Sequence, residues 1–350
     1  MGSKVVSYKV YATSVLSYVM QYVDIPKNLL QLEASCIARV LNIPRNSIPC
    51  EVALGLQVVG QPSFPSLRHL AAATLARSWM ALRCSSEVEA LVVNSMDNID
   101  PFLNDPVKRW AETSMVATMC ANYKSIVNLR VPPPSSARSV QAGIYAALCG
   151  EADSESIGHC VACRIHTITD EVEATKEDLI ASSGIAFKHL QQASQWIVPA
   201  GAQAWVKALF NAWTTSYRFG GVVQPCPFCA AEASDSLNHY AKCPVLNFYG
   251  SELLPDLWAH GYSMISMHRC LGIDAFLEGP AHLPALLAAW IDAVHWTSLI
   301  HSRAQHVDSP IHTLAARLKV FLLRMCKGAN RAKVLSDSCR LSAASMSQWT

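Results

Sequence analysis

The stretch LPALLAAWIDAVHWTSLI, from Leu283 to Ile300, is the nearest thing in the chain to a membrane-spanning segment. It nevertheless carries Pro284, Asp292 and His295. A carboxylate and an imidazole are costly inside a bilayer, whereas a protein core accepts them when they have partners. The stretch therefore predicts a helix buried in a protein core, and we expect no membrane span.

Helical patterns extend from this stretch in both directions. Residues 7–23 and the segment KNLLQLEASCIARVL, which follows Pro26, both place apolar side chains at helical spacing. The other helical patterns lie near residues 66–83, 105–129, 139–149, 155–168, 176–194, 200–217, 284–304, 310–327 and 331–345. Strand alternation is nearly absent, and no repeat of fixed period is present. The sequence predicts an all-α fold with one small irregular insert.

The clearest break in the chain is VPPPSSARS, residues 131–139, where prolines stiffen the backbone and serines solvate it. We place a hinge there. The predicted regions are a helical N-terminal region (1–130), this hinge (131–139), a helical connector (140–217), a cysteine-containing insert (218–250) and a C-terminal helical region with a basic tail (251–350).

Composition limits the classes of protein that fit. The chain has 350 residues, about half of them apolar and 15% charged, which is ample for a large core. A net charge of +2 means that any nucleic-acid-binding surface must be local. Thirteen cysteines in so long a chain do not suit a secreted disulfide framework. We expect a reduced compartment, cytoplasmic or nuclear, and no signal peptide.

The segment CPFCAAEASDSLNHYAKCP, residues 226–244, has the spacing of a metal site. A Cys-x-x-Cys pair is followed by a histidine and a further cysteine at a joint spacing that chance produces about 0.015 times in such a chain. Three thiolates and one imidazole form a closed tetrahedral set, which is typical of structural zinc. The sequence predicts that Cys226, Cys229, His239 and Cys243 bind Zn²⁺. The alternative is buried free cysteines beside a core histidine.

A second cluster, HCVACRIH, places His159, Cys163 and His166 on one helical face, and Cys160 on another. An amphipathic helix explains this pattern better than a metal site. Metal binding by these three residues remains the alternative.

The first cluster is similar to the zinc knuckle near the C-terminus of non-LTR (LINE-like) retrotransposon reverse transcriptases. The matching residues are Cys226, Cys229, Asp235, His239, Cys243 and Pro244. The gap of three residues between the histidine and the last cysteine is one shorter than the gap common in that family. The resemblance implies a structural zinc knuckle within a nucleic-acid-binding polymerase.

The segment YATSVLSYVMQYVDIPKNLLQLEASCIARVLNIPRNSIP resembles the helical thumb that follows the polymerase palm in those elements. The resemblance is carried by Tyr18, Pro26, Leu29, Leu32, Glu33, Pro44, Asn46 and Pro49. It covers residues 7–60, and the zinc-knuckle resemblance covers residues 218–250. Residues 1–130 are therefore expected to be thumb-like.

The catalytic motif of that family is absent from this sequence. Nucleotide transfer needs carboxylates that hold Mg²⁺, which the family supplies from an aromatic-Ala-Asp-Asp motif, and this chain has no Asp-Asp pair. Pro255 and Asp256 resemble part of the family's nuclease motif, but no Asp-x-Lys follows. The resemblance implies a C-terminal fragment that is inactive alone, with a missing palm and fingers domain as partner.

The stretch from Arg303 to Arg340 is strongly basic, with eight basic residues and two acidic ones. Arg317, Arg324 and Arg331 recur every seven residues, and Lys327 is expected on the same face. This face is predicted to point outward and bind phosphates of RNA or DNA. An ordinary solvated helix face is the equal alternative.

Two residues before the cysteine cluster are further candidates for nucleic-acid contacts. Tyr217 and Arg218 are predicted to stack on and pair with a template strand, although packing within the protein is the alternative. The leading hypothesis is thus a non-catalytic fragment that binds RNA or DNA. The competing hypothesis is a helical scaffold for protein partners with a structural zinc site. A thiol enzyme is disfavoured, since no cysteine has a clearly basic setting.

Overall fold

A computed structural model of the chain describes residues 7–19, 28–44, 47–56, 64–67, 69–71, 73–74, 141–142, 145, 154–166, 176–219, 222–232, 235–260, 271–272, 279–302 and 309–341. These residues form helices and loops but no strand, which confirms the predicted all-α class. One isolated antiparallel bridge joins Ile197 and Cys326 within the described part.

The helices follow one another along the chain with these bounds. They are a π-helical turn Tyr8–Thr13, α1 Ser14–Val19, α2 Leu29–Leu41, α3 Cys50–Leu54, α4 Ser154–His166, α5 Lys176–Trp196, α6 Gln203–Leu209, a 3₁₀ turn Tyr217–Phe219, α7 Leu237–Lys242, α8 Pro244–Leu253, α9 Pro255–Ala259, α10 Leu283–His301, α11 Pro310–Met325 and α12 Ala329–Asp337. The predicted helix near residues 105–129 lies outside the described residues.

The chain divides into two compact units. The first comprises Met1–Gly2, Ala38–Ser63 and Asp153–Thr350, and the second comprises Ser3–Ile37 and Phe64–Ala152. The expected hinge at 131–139 lies outside the described residues, and the five-region division stays a prediction.

Helix α10 forms the core of the first unit. Its residues are buried all round from Leu283 to Val294, and it packs against α5, α6, α9 and α11. By length and composition it could cross a membrane, with a mean hydropathy of 1.3, yet 78% of that window is buried inside the protein. A helix that is apolar on every face is buried either by lipid or by other helices. Here other helices bury it, as the sequence predicted.

Two predicted helices end before their predicted last residues, and each is followed by a residue with a positive φ. The helix expected over 200–217 ends at Leu209, and Asn211 then adopts a left-handed conformation with a φ of 47°. Helix α11 ends at Met325, after which Cys326 is extended and Gly328 has a φ of 95°. Only glycine adopts this last conformation without strain. The break at Gly328 separates the register of α12 from that of α11.

A buried carboxyl group, that of Glu33, connects three segments of the second unit. Glu33 is 1% exposed and accepts hydrogen bonds from the backbone N–H of Leu67, over 2.7 Å, and from the hydroxyl of Tyr8. Burial raises the pKa of Glu33 above its usual range. The ring of Tyr8 meets Phe64 edge to face. Two residues of the thumb resemblance, Pro26 and Asn46, lie outside the described residues.

Candidate metal centre

The first two candidate ligands lie in a tight turn. The backbone N–H of Ala230 donates to the carbonyl of Cys226, and the N–H of Cys226 donates to the carbonyl of Ala231, each over 2.9 Å. Ala230 takes up a left-handed conformation with a φ of 58°, which reverses the chain directly after Cys229. The turn brings the sulfurs of Cys226 and Cys229 close together, as a Cys-x-x-Cys metal site requires.

The other two candidate ligands lie on and after the short helix α7. Ser236 caps this helix, and its Oγ accepts a hydrogen bond from the backbone N–H of His239 over 3.1 Å. Cys243 both ends α7 and precedes α8, where Pro244 occupies the first turn. The cap and the proline fix His239 and Cys243 one helical turn apart.

The four side chains form one compact cluster in the structure. The ligand atoms of Cys226, Cys229, His239 and Cys243 all lie within 4.8 Å of one another. The Sγ atom of Cys229 is 3.2 Å from the Nε2 atom of His239. Tetrahedral zinc with bonds of about 2.0 to 2.3 Å separates its ligand atoms by about 3.3 to 3.8 Å. The predicted ligands are therefore brought together at a spacing that can hold a metal ion.

The electrostatics of the cluster suit a cation. The hydrogen bond between the thiols of Cys226 and Cys243, followed by burial, raises the pKa of Cys226, and the same bond lowers the pKa of Cys243. Metal binding would require both thiols to lose their protons. Burial lowers the pKa of His239, so its imidazole is neutral and able to act as a ligand near neutral pH.

A buried carboxylate ties the cluster to the preceding segment. Asp235 is 5% exposed and accepts hydrogen bonds from the backbone N–H of Ser216, over 2.7 Å, and from the hydroxyl of Tyr240. The ring of Tyr240 contacts Trp213, which in turn contacts His295 of the core helix α10. The sequence indicated Asp235 only as a matching acidic residue. Its role as an acceptor depends on Ser216, nineteen residues earlier.

The contribution of the Asp235 hydrogen bonds to stability can be tested by mutation. We expect Asp235→Ala to lower the free energy of unfolding by about 3 kcal/mol, because a buried hydroxyl and a half-buried backbone N–H lose their acceptor. Asp235→Asn, which keeps an acceptor oxygen for Ser216, is expected to cost less than half as much. Urea denaturation measures both changes. Equal losses for the two variants would show that the hydrogen bonds of Asp235 do not stabilise the fold.

Comparisons with known proteins give no relative. No family model, no curated protein and no solved structure matches the chain. The resemblance to retrotransposon reverse transcriptases therefore stays a prediction from the sequence.

The side chain of Arg317 does not lie on the predicted outward basic face. Its guanidinium forms two hydrogen bonds with Asp292 of α10, at 2.7 and 3.2 Å, and lies 4.6 Å from the ring centre of Trp296. The side chains of Arg317 and Asp292 are only 16% and 11% exposed. The expectation that Arg317 points outward is therefore wrong, since its guanidinium pairs with a buried carboxylate. Sequence spacing alone gave no sign of this partner. Contact between Arg317 and nucleic acid stays a prediction.

Lys327 and Arg331 cap the C-terminal end of helix α5. Lys327 donates to the carbonyl of Ser194, and Arg331 donates to the carbonyl of Gln195. Cations are favourable at this end of a helix, where carbonyl groups lack partners. Both residues remain exposed, as does Arg324. These three residues can still meet a ligand, and their binding of nucleic acid stays a prediction.

Tyr217 and Arg218 differ in exposure. Tyr217 is 67% exposed on the 3₁₀ turn, and its stacking on a base stays a prediction. Arg218 donates a hydrogen bond of 2.7 Å to the hydroxyl of Ser47 in the same unit, and burial lowers its pKa. Arg218 therefore packs within the protein, which was the alternative interpretation for this pair.

The second cysteine cluster lies on α4, where both His159 and Cys163 are exposed. The side chain of His166 lies outside the described residues. Among the described residues, the group that brings metal ligands together is the one formed by Cys226, Cys229, His239 and Cys243. Metal binding by the second cluster stays untested.

Proposed function

We propose that the chain is a non-catalytic helical module that holds one structural zinc ion and binds RNA or DNA. The observation that carries the zinc site is the convergence of three sulfurs and one imidazole nitrogen within 4.8 Å. This set fills all four positions of a tetrahedral ion, leaving none open for a substrate. The site therefore supports a structural ion rather than a catalytic one.

The nucleic-acid role is supported by the exposed surface of α11 and α12. Within the described residues 309–341, the exposed basic side chains are Lys319, Arg324, Lys327, Arg331, Lys333 and Arg340. Asp337 is the single acidic residue in that range. A local excess of positive charge in a nearly neutral chain favours binding to phosphates. The sequence resemblance to the C-terminal part of a retrotransposon reverse transcriptase points to the same partner.

The salt dependence of binding tests this proposal. We expect a labelled 20-residue single-stranded RNA to bind with a slope of log affinity against log salt of about −2, from three phosphate contacts at about 0.7 each. Affinity then falls on the order of 20-fold between 50 and 200 mM salt. Fluorescence anisotropy measures this. Binding that is absent, or unchanged by salt, would refute the nucleic-acid role.

One observation favours a second candidate function, a helical scaffold for protein partners. Three residues expected to bind nucleic acid have partners within the protein: Arg317 pairs with Asp292, Lys327 binds Ser194, and Arg331 binds Gln195. These contacts stabilise the arrangement of the helices, which is what a scaffold for protein partners requires, and they involve no RNA. The salt titration separates the two functions, since only nucleic-acid binding requires the steep slope.

A further inference from the structure

A groove between helices α11 and α12 lies outside the metal centre. It is open to solvent and has a volume of about 480 Å³, within the size range of sites for small ligands. Leu323, which is 75% exposed, and Leu341 contribute apolar surface. Lys319 and Lys333 bring positive charge from the two helices, and Asp337 brings the one negative charge.

The end of the groove is fixed to the rest of the first unit. The backbone N–H of Arg340 donates to the carbonyl of Leu253 in α8 over 3.0 Å, which anchors the segment after α12. Cys339, also in the groove wall, is half-buried, and desolvation raises the pKa of its thiol to about 12. Its thiol stays protonated near neutral pH and adds no negative charge. The groove thus has one anchored end, a net positive charge and a partly apolar lining.

We propose that this groove binds one unpaired nucleotide of a single-stranded nucleic acid. The apolar surface near Leu323 packs against the base, and Lys319 and Lys333 contact the flanking phosphates. With two lysines and one aspartate the groove has a net positive charge, which complements a phosphate chain. The exposed Arg324 on α11 extends the positive surface. A paired base presents no free face to such a groove, so single strands are preferred over duplexes. This inference rests on the proposed nucleic-acid function.

The test compares charge removal inside the groove with charge removal elsewhere. We expect Lys319→Gln with Lys333→Gln to weaken binding of a labelled single-stranded 20-residue RNA on the order of 10-fold at 0.1 M salt. The salt slope should shrink by about 1.4, because two phosphate contacts are lost. The matched control is Arg39→Gln with Lys188→Gln, two exposed cations outside the groove. Thermal melting establishes that both variants fold.

Two single variants test the apolar and acidic parts separately. Asp337→Asn removes the negative charge and should tighten RNA binding about two- to three-fold. Leu323→Ser removes exposed apolar surface and should weaken binding about three-fold without changing the salt slope. A variant that improves binding cannot be explained by damage to the fold.

The outcomes that overturn the inference are distinct from those that overturn the function. If the parent binds RNA with a steep salt slope, and the groove variant binds like the matched control, the groove inference fails and the proposed function stands. If a duplex of the same sequence binds as tightly as the single strand, the unpaired-nucleotide site fails. If the parent shows no salt-dependent RNA binding, the proposed function itself fails.

Discussion

Replacing Cys226 and Cys229 together by serine is expected to reduce the zinc content of the purified protein from about one equivalent per chain to nearly none. Two of four ligands are lost, and serine hydroxyls do not replace thiolates at a zinc site. The segment from Cys226 to Cys243 then lacks the ion that is expected to hold its two ends together. We expect the metal-free variant to unfold locally there, with faster proteolysis between the two ends of the cluster. Metal analysis and limited proteolysis measure the two effects.

The matched control uses two exposed cysteines away from the cluster. Cys36 and Cys163 are both exposed, and their double replacement by serine changes the same number of thiols. This control is expected to keep its full equivalent of zinc. A Cys226→Ser, Cys229→Ser protein that also kept a full equivalent would refute the site. Loss of zinc from the Cys36, Cys163 control would place the ion elsewhere.

The convergence of the four candidate ligands was predictable from the sequence because its geometry is local. Cys226 and Cys229 are three residues apart, and one turn of the chain suffices to bring their sulfurs together. His239 and Cys243 are four apart on a short helix whose cap, Ser236, is also adjacent in sequence. Local spacing thus determines most of the site. The long apolar run of α10 predicted a buried core helix for a similar reason, since a helix that is apolar on every face must be buried.

The basic surface was predicted less well because side-chain direction depends on distant partners. Arg317 and Arg324 lie on one helix, but Arg317 turns to Asp292, which is 25 residues earlier in the chain. Arg331 belongs to a separate helix, since the helical conformation is interrupted at Gly328, between α11 and α12. A seven-residue spacing therefore did not produce one face. The groove beside Lys319 and Lys333 arises from the packing of α11 on α12, which spacing within one helix does not reveal.

Replacing Arg317 by methionine is expected to lower the free energy of unfolding by about 3 to 5 kcal/mol, the usual cost of leaving one member of a buried ion pair alone. Asp292 would be left in the core without its main partner. Combining Arg317→Met with Asp292→Leu should restore most of the lost stability, because an apolar pair of similar volume needs no neutralisation. Urea denaturation of both single variants and the double variant measures the coupling between the two residues.

The pH dependence of the Arg317→Met variant distinguishes this structural role from a role in binding. Burial already raises the pKa of Asp292 above 3.8, against the lowering effect of Arg317, so removing Arg317 raises it further. A carboxyl with a raised folded-state pKa stabilises the fold below its unfolded pKa, and this stability is lost as pH rises through the folded pKa. The deficit relative to the parent should therefore be small near about pH 4 and should grow toward about pH 8. A phosphate-binding Arg317 would instead give a stable variant whose RNA salt slope is reduced by about 0.7 at every pH. That result would contradict the buried pair and return Arg317 to the nucleic-acid surface.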